Sequence, residues 1–217
     1  MKNIEKAKII QRILNKTYPK VPRPLNYKNK FTLLVSVLLS AQCTDVNVNN
    51  VTKDIYPKYN KPKHFVKLGR KKIENLIKRI GIYRVKAKNI FYLSKTLVEK
   101  YNSKVPNTYE ELEQLPGVGH KTASVVMSQG FDFPAFPVDT HIHRLAQRWG
   151  LTNGKDVVQT EKDLKSIFPK KHWNKLHLQI IWYGREYCKA RDCYGITCKI
   201  CKSCYPNRKK PIKTKKA

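Results

Sequence analysis

At 217 residues and 25.4 kDa the chain is long enough to bury a sizeable core, as one large or two small domains. Forty-five Lys and Arg against 15 Asp and Glu give a formal charge of +30, which excludes a polycationic partner and points to a polyanion, nucleic acid before anionic membrane. Lysine far outnumbers arginine, so part of the surplus is lysine bias, but bias does not explain the scarcity of acids. The most apolar run, 31–41, falls well short of the roughly 20 residues of a membrane span. The N-terminus alternates Lys, Glu and Ile and lacks a signal peptide's apolar stretch. A cytoplasmic, reducing location is therefore expected, where the 6 cysteines are poor candidates for disulfides.

Nearly every segment reads as helix. Residues 4–14 carry Ile9, Ile10, Ile13 and Leu14 at amphipathic spacing, and Pro19, Pro22 and Pro24 then break the pattern. Residues 31–42 are apolar on every side, as in a helix central to a core. Helical patterns recur at 45–56, 63–68, 71–80, 86–100 and 109–114, separated by Pro, Gly or Asn, and again at 122–128, 140–149, 157–167 and 172–188. No alternating strand pattern of useful length appears, so the class is all-α. Asp132-Phe-Pro-Ala-Phe-Pro137 reads as a rigid extended crossover between two helical lobes. The tail, 207–217, is short and basic and reads as disordered, adding salt-sensitive affinity for a polyanion.

The densest signal is Leu115-Pro-Gly-Val-Gly-His-Lys121-Thr-Ala, followed by Val138-Asp139-Thr140-His141. Gly117 and Gly119 separate a polar helical segment from an apolar one, the pattern of two helices joined by a tight hairpin. The hairpin's amides and the new helix's N-terminus suit an anion such as a phosphate. Lys121, on that helix's first turn, is an amine, and Asp139 is a carboxylate that the fold can bring opposite it. Local sequence alone reads Lys121 as a phosphate-binding or solvated lysine, and Asp139 as a helix N-cap.

Five cysteines close the chain, as Cys188-x4-Cys193-x4-Cys198-x2-Cys201-x2-Cys204. Five soft ligands in so short a stretch are a metal signature, and their spacing alone leaves Zn²⁺ and an iron–sulfur cluster equally open. Lys189, Arg191, Lys199 and Lys202 are interleaved with them. Cys43, alone in the chain's first half, reads as a small buried residue.

Together these motifs resemble the endonuclease III branch of the helix-hairpin-helix DNA glycosylases, from about Pro24 to Cys204. The resemblance implies an all-α, two-lobed helix-hairpin-helix glycosylase fold with a C-terminal [4Fe–4S] cluster loop. Residues 24–133 would form a central helical barrel, and 1–23 with 134–217 a second lobe, with the catalytic cleft between them. It implies a bifunctional DNA glycosylase and AP lyase acting on oxidised pyrimidines in duplex DNA, for which a monomer suffices. Lys121 would be the nucleophile, since a helix N-terminus and partial burial both disfavour an ammonium ion, and Asp139 its partner. Gly117, Gly119, Gln42, Ile82 and His141 would contact DNA, with Gln42 filling the space left by a rotated nucleotide and Ile82 an apolar wedge. Arg84, Lys86 and Lys88 follow as candidate phosphate holders, and Glu113 matches an acid near the pocket, although a surface carboxylate is the simpler reading. The family's usual ligand spacing is six, two and five residues between four cysteines, and this chain departs from it. The ligand set expected here is Cys188, Cys198, Cys201 and Cys204, with Cys193 in reserve. Two alternatives stay open: a monofunctional glycosylase of the same fold, which Lys121 argues against, and a non-catalytic DNA-binding protein with structural zinc.

Overall fold

The computed structural model describes residues 1–217 and contains helices and no strands. In chain order these are α1 (Asn3–Thr17), α2 (Lys30–Ser40), α3 (Asp45–Ile55), α4 (Pro62–Leu76), α5 (Tyr83–Lys100), α6 (Tyr109–Glu113), α7 (His120–Phe131), α8 (Thr140–Trp149), α9 (Val157–Ile167), α10 (Trp173–Glu186) and α11 (Lys199–Cys204). A single 3₁₀ turn, Lys170–His172, leads into α10. None of these helices is long and apolar enough to cross a membrane. The chain forms two compact units, Arg23–Phe133 and a second made of Met1–Pro22 with Pro134–Ala217.

In the first unit α2 is the central element, buried from Phe31 to Leu39. Its start is set locally. Asn29 accepts from Thr32 N at 2.9 Å, while Thr32 Oγ1 accepts from Asn29 N at 2.9 Å, a reciprocal cap that satisfies two backbone donors. Leu33, Leu34, Val37 and Leu38 then meet Ile73, Ile90, Leu93 and Val126 from the surrounding helices. Each fully buried side chain of this size stabilises the unit by roughly 1.5–3 kcal/mol. The two patterns at 63–68 and 71–80 are two helical stretches that meet at a kink within α4. Gly69, at φ 71° and ψ 160°, is non-helical and makes the kink, a positive-φ conformation that glycine adopts without a Cβ penalty.

In the second unit the N-terminal helix joins the C-terminal half through side chains far apart in sequence. Gln179 Nε2 donates to Leu14 O at 3.2 Å, which also accepts from Tyr18 N, and to Tyr18 O at 2.9 Å, just past the end of α1. Trp182 Nε1 donates to Pro22 O at 2.9 Å. Around this seam Ile10, Leu14, Phe136, Leu145, Trp149 and Ile180 are buried together. The extended run after α7 contributes Ala135 and Phe136, both wholly buried.

Candidate functional site

The hairpin lies between α6 and α7. Gly117 sits at φ 80°, and a Cβ there would stand 2.6 Å from Asn89 Nδ2 on α5, so both the backbone conformation and the close approach require glycine. Gly119 has a different role. Its φ is −104°, and nothing lies within 4 Å of where a Cβ would be, so no neighbour in the chain demands glycine. It caps α7 without a side-chain acceptor, leaving the first amides of that helix open to an external anion. Lys121, the second residue of α7, is exposed; the partial burial expected from sequence is absent and its amine faces solvent. Beside it, His120 stacks on Tyr109 at 5.3 Å and its Nδ1 lies 2.8 Å from Glu113 Oε1. Glu113 is thereby tied across the hairpin to the first turn of the helix that carries Lys121.

Two further loops of the same unit carry the remaining expected wedge residues. Gln42 and Ile82 are both non-glycine residues in the left-handed region, at φ 53° and 57°. Ile82 is 53% exposed, which rules out a core isoleucine. The loops run side by side, with the Cβ position of Gly81 3.6 Å from Gln42 O. Asn47 Nδ2 bridges them, donating to Arg79 O at 3.0 Å and to Cys43 Sγ at 3.3 Å.

Lys86 is where the structure corrects the sequence reading most. It is not at the surface holding a phosphate but is 5% exposed. Its Nζ donates to Leu39 O at 2.9 Å and Ala41 O at 2.6 Å, taking up carbonyls that α2 leaves open just before Gln42. Its own amide bonds Ile82 O at 3.2 Å. One residue therefore joins the end of the Gln42 helix to the start of the Ile82 helix. Burial pushes its pKa down from the ordinary lysine value. Periodicity held the signal: Lys86 is in register with Ile90, Leu93 and Leu97, the buried stripe of α5. Arg84 and Lys88 are exposed as expected.

The second unit carries Asp139 and His141. Asp139 is the N-cap of α8, its Oδ1 accepting from Ile142 N at 2.8 Å, so the carboxylate's direction is fixed. His141 Nδ1 lies 3.3 Å from Arg144 Nη2, which also donates to the carbonyls of Gly184 and Cys188, both at 3.1 Å. His141 is thus anchored toward the end of α10.

Cys188, Cys193, Cys198 and Cys201 are buried with their sulfurs within 4.8 Å of one another. Cys201 Sγ is 3.9 Å from Cys188 Sγ and 3.8 Å from Cys193 Sγ, too far for a disulfide. The amides of Cys198 and Cys201 approach Cys193 Sγ and Cys198 Sγ at 3.5 Å each. Arg148, 2% exposed, donates to Cys188 Sγ at 3.4 Å and to the carbonyls of Cys188, Lys189 and Ala190. Hydrogen bonds from Cys188 and Cys201 hold the Cys198 thiol down, while the Cys188 thiol is pushed up, first by its bond to Cys198. Four thiolates this close coexist only around a soft cation, which fits a metal centre.

Residues 35–170 match the model of the HhH-GPD superfamily of base excision DNA repair proteins. Endonuclease III of Bacillus subtilis (strain 168) is 40% identical over 214 residues, 98% of each chain. That of Rickettsia prowazekii (strain Madrid E) is 43% identical over 189 residues, 87% of this chain and 88% of that one. A solved trapped endonuclease III–DNA covalent intermediate is similar at a TM-score of 0.87 and 40% identity, covering 92% of this chain and 94% of that one. The chain belongs to the endonuclease III family.

The cysteine loop and the tail both depart from the sequence reading. Cys193 stands in the cluster of thiols, and Cys204, placed there from sequence, does not. Cys198 caps α11, and Cys204 lies six residues on, about 9 Å further along the helix axis. Its thiol, pushed up to about 11 by burial, lies in the unit's core, as the other four do, but outside their close group. The tail reads as disordered yet is docked on the cysteine loop. Arg208 Nη1 donates to Arg148 O at 2.6 Å and Gly195 O at 3.0 Å, and Ile212 N to Tyr194 O at 2.9 Å. Gln147 and Lys215 exchange two bonds, at 3.1 and 2.8 Å. Composition cannot reveal acceptors that other segments supply.

Proposed function

We propose that this chain is a bifunctional DNA glycosylase and AP lyase of base excision repair that removes oxidised pyrimidines from duplex DNA. The observation that carries the proposal is an exposed amine, Lys121, on the first turn of a helix whose N-terminus opens through Gly119 to an anion. With the hairpin amides on a backbone phosphate, the amine of Lys121 attacks C1′ of the damaged nucleotide, and the C1′–N bond breaks with its electron pair leaving on the base. Ring opening gives an iminium between Nζ and C1′. Loss of a 2′ proton then expels the 3′ phosphate by β-elimination, cutting the strand 3′ to the lesion. Asp139, its direction set by capping α8, stabilises positive charge developing at C1′ and takes up protons. Gln42 and Ile82, on adjacent loops, fill the space left by the rotated nucleotide. His141 supports the Asp139 segment from the same helix.

Cys188, Cys193, Cys198 and Cys201 would hold a [4Fe–4S] cluster, whose contribution is to order the loop bearing Lys189, Arg191, Lys199 and Lys202, all exposed. Zinc is the second reading, favoured by one observation: the 3.8 and 3.9 Å sulfur separations match the roughly 3.8 Å of a tetrahedral Zn–S₄ site with bonds of about 2.3 Å. Iron, sulfide and zinc per chain in purified protein separate the two. Borohydride trapping on a duplex with a single thymine glycol or abasic site, with wild type beside Lys121→Ala, tests the chemistry. A covalent adduct that requires Lys121 is expected. Base release without an adduct identifies a monofunctional enzyme, and binding with neither identifies a DNA-binding module.

A further inference from the structure

The 23–133 unit carries a strongly basic feature that includes none of the hairpin or wedge-loop residues. A surface groove of about 1000 Å³ is lined by Lys30, Lys61, Lys63 and Lys104, with no Asp or Glu on its walls. All four lysines are exposed. Its walls are fixed. Asn29 Nδ2 donates to Asn60 O at 2.9 Å, joining the segment that starts α2 to the one that starts α4. Lys104 follows a tight turn in which Asn102 and Ser103 are consecutive left-handed residues, at φ 50° and 62°. That turn is held by Ser103 N to Leu97 O and Lys104 N to Tyr101 O, both 2.8 Å. Two such residues cost on the order of 1–2 kcal/mol each and persist only where the surroundings impose them.

The groove lies at the helix ends remote from the hairpin and wedge loops. α2 starts at Lys30 in the groove and ends two residues before Gln42, about 16 Å along its axis. α5 starts next to Ile82 and ends at Lys100 beside the Lys104 turn, about 27 Å away. α7 starts at the hairpin and ends at Phe131 on the groove wall, about 18 Å away. The two ends therefore cannot engage the same short stretch of backbone.

We infer that this groove binds the phosphate backbone of a second duplex DNA segment, so that the protein can hold two segments and pass directly from one to the other. Charge complementarity selects a polyanion. Duplex is favoured over single strand because the groove offers no free aromatic face on which bases could stack: Phe31 is buried, and Lys30 Nζ lies 4.1 Å over the Phe131 ring. The inference rests on the duplex-binding part of the proposed function.

The test uses full-length protein carrying Lys30→Gln, Lys61→Gln, Lys63→Gln and Lys104→Gln together. A charge-matched control carries Lys67→Gln, Lys71→Gln, Lys72→Gln and Lys95→Gln, exposed lysines of the same unit outside the groove. Dissociation from a labelled short duplex is followed against increasing unlabelled duplex, alongside capture of a second labelled duplex by surface-bound complex. Wild type and control should dissociate faster as competitor rises and should capture the second duplex. The groove variant should lose the competitor dependence and weaken capture at least tenfold, and the salt slope of capture should fall by about 3–4, one unit per lost phosphate contact. Base release on a single short duplex should be unchanged. Equal losses in both variants would assign the effect to bulk charge and overturn the inference, as would capture that is intact in the groove variant or absent in wild type. Failure of wild type to bind even the first duplex would instead overturn the proposed function.

Discussion

Lys86→Met removes an ammonium group and keeps most of the side chain's length, so it isolates the bonds that join the two wedge loops. Two charge-assisted hydrogen bonds are lost, each worth roughly 1.5–3 kcal/mol. Two effects offset them. The buried ammonium is itself costly, as its lowered pKa indicates, and Ala41 O is partly accessible so water can replace one donor. Methionine refills the apolar space around the stem. The net expectation is a loss of about 2 kcal/mol, or roughly 4–8 °C in Tm for a chain of this length. Gln42, one residue beyond Ala41, is then free to leave a left-handed conformation that costs about 1–2 kcal/mol, so a wedge that is preset in the wild type must be ordered on DNA. Single-turnover base release from a lesion-bearing duplex should slow about tenfold, equivalent to roughly 1.4 kcal/mol, with affinity for undamaged duplex nearly unchanged. Thermal melting and rapid-quench base release measure both quantities. Unchanged base release despite the stability loss would refute the positioning argument, and an unchanged Tm would refute the bonds themselves.

The hairpin glycines should separate by phenotype. Gly117→Ala forces a Cβ into Asn89 and should cost about 2 kcal/mol or more in urea unfolding, whereas Gly119→Ala should leave stability nearly untouched and weaken duplex binding; equal stability losses would contradict the geometry. Cys193→Ser should abolish metal retention and Cys204→Ser should preserve it, read as metal content per chain after desalting; the reverse pattern would restore the ligand set expected from sequence. His143 is 1% exposed, and burial pushes its pKa below the ordinary 6.5, partly offset by the Lys216 backbone of the docked tail. A base whose folded pKa is depressed contributes stability that is present above its unfolded value and lost as pH falls through the folded one. Urea midpoints should therefore drop on acidification below pH 6.5, and His143→Gln should flatten that slope; parallel slopes in the two proteins would exclude His143 as its source.

Much of this protein is written in local patterns. Helix positions follow from the 3.6-residue spacing of apolar side chains and from caps such as Asn29 and Asp139, whose partners lie three residues away. The hairpin is legible for the same reason, because a left-handed glycine and a following apolar helix are neighbours in the chain. The cysteines announce a metal site by chemistry alone. What stayed hidden depends on groups that meet only after folding. Lys86 reads as one more surface cation until the carbonyls of Leu39 and Ala41, more than forty residues earlier, come within its reach. Spacing cannot choose four sulfurs from five: Cys201 and Cys204 are both buried, and it is the fold of the loop before α11 that brings Cys193 Sγ within 3.8 Å of Cys201 Sγ. The tail is lysine-rich and apolar-poor, and is ordered by acceptors on Arg148, Gly195 and Gln147 that its own composition does not contain. Sequence by itself determined the helices, the hairpin and the kind of chemistry. Tertiary structure decided which polar groups are buried against which partners, because a buried donor must find its acceptor wherever the chain has carried it.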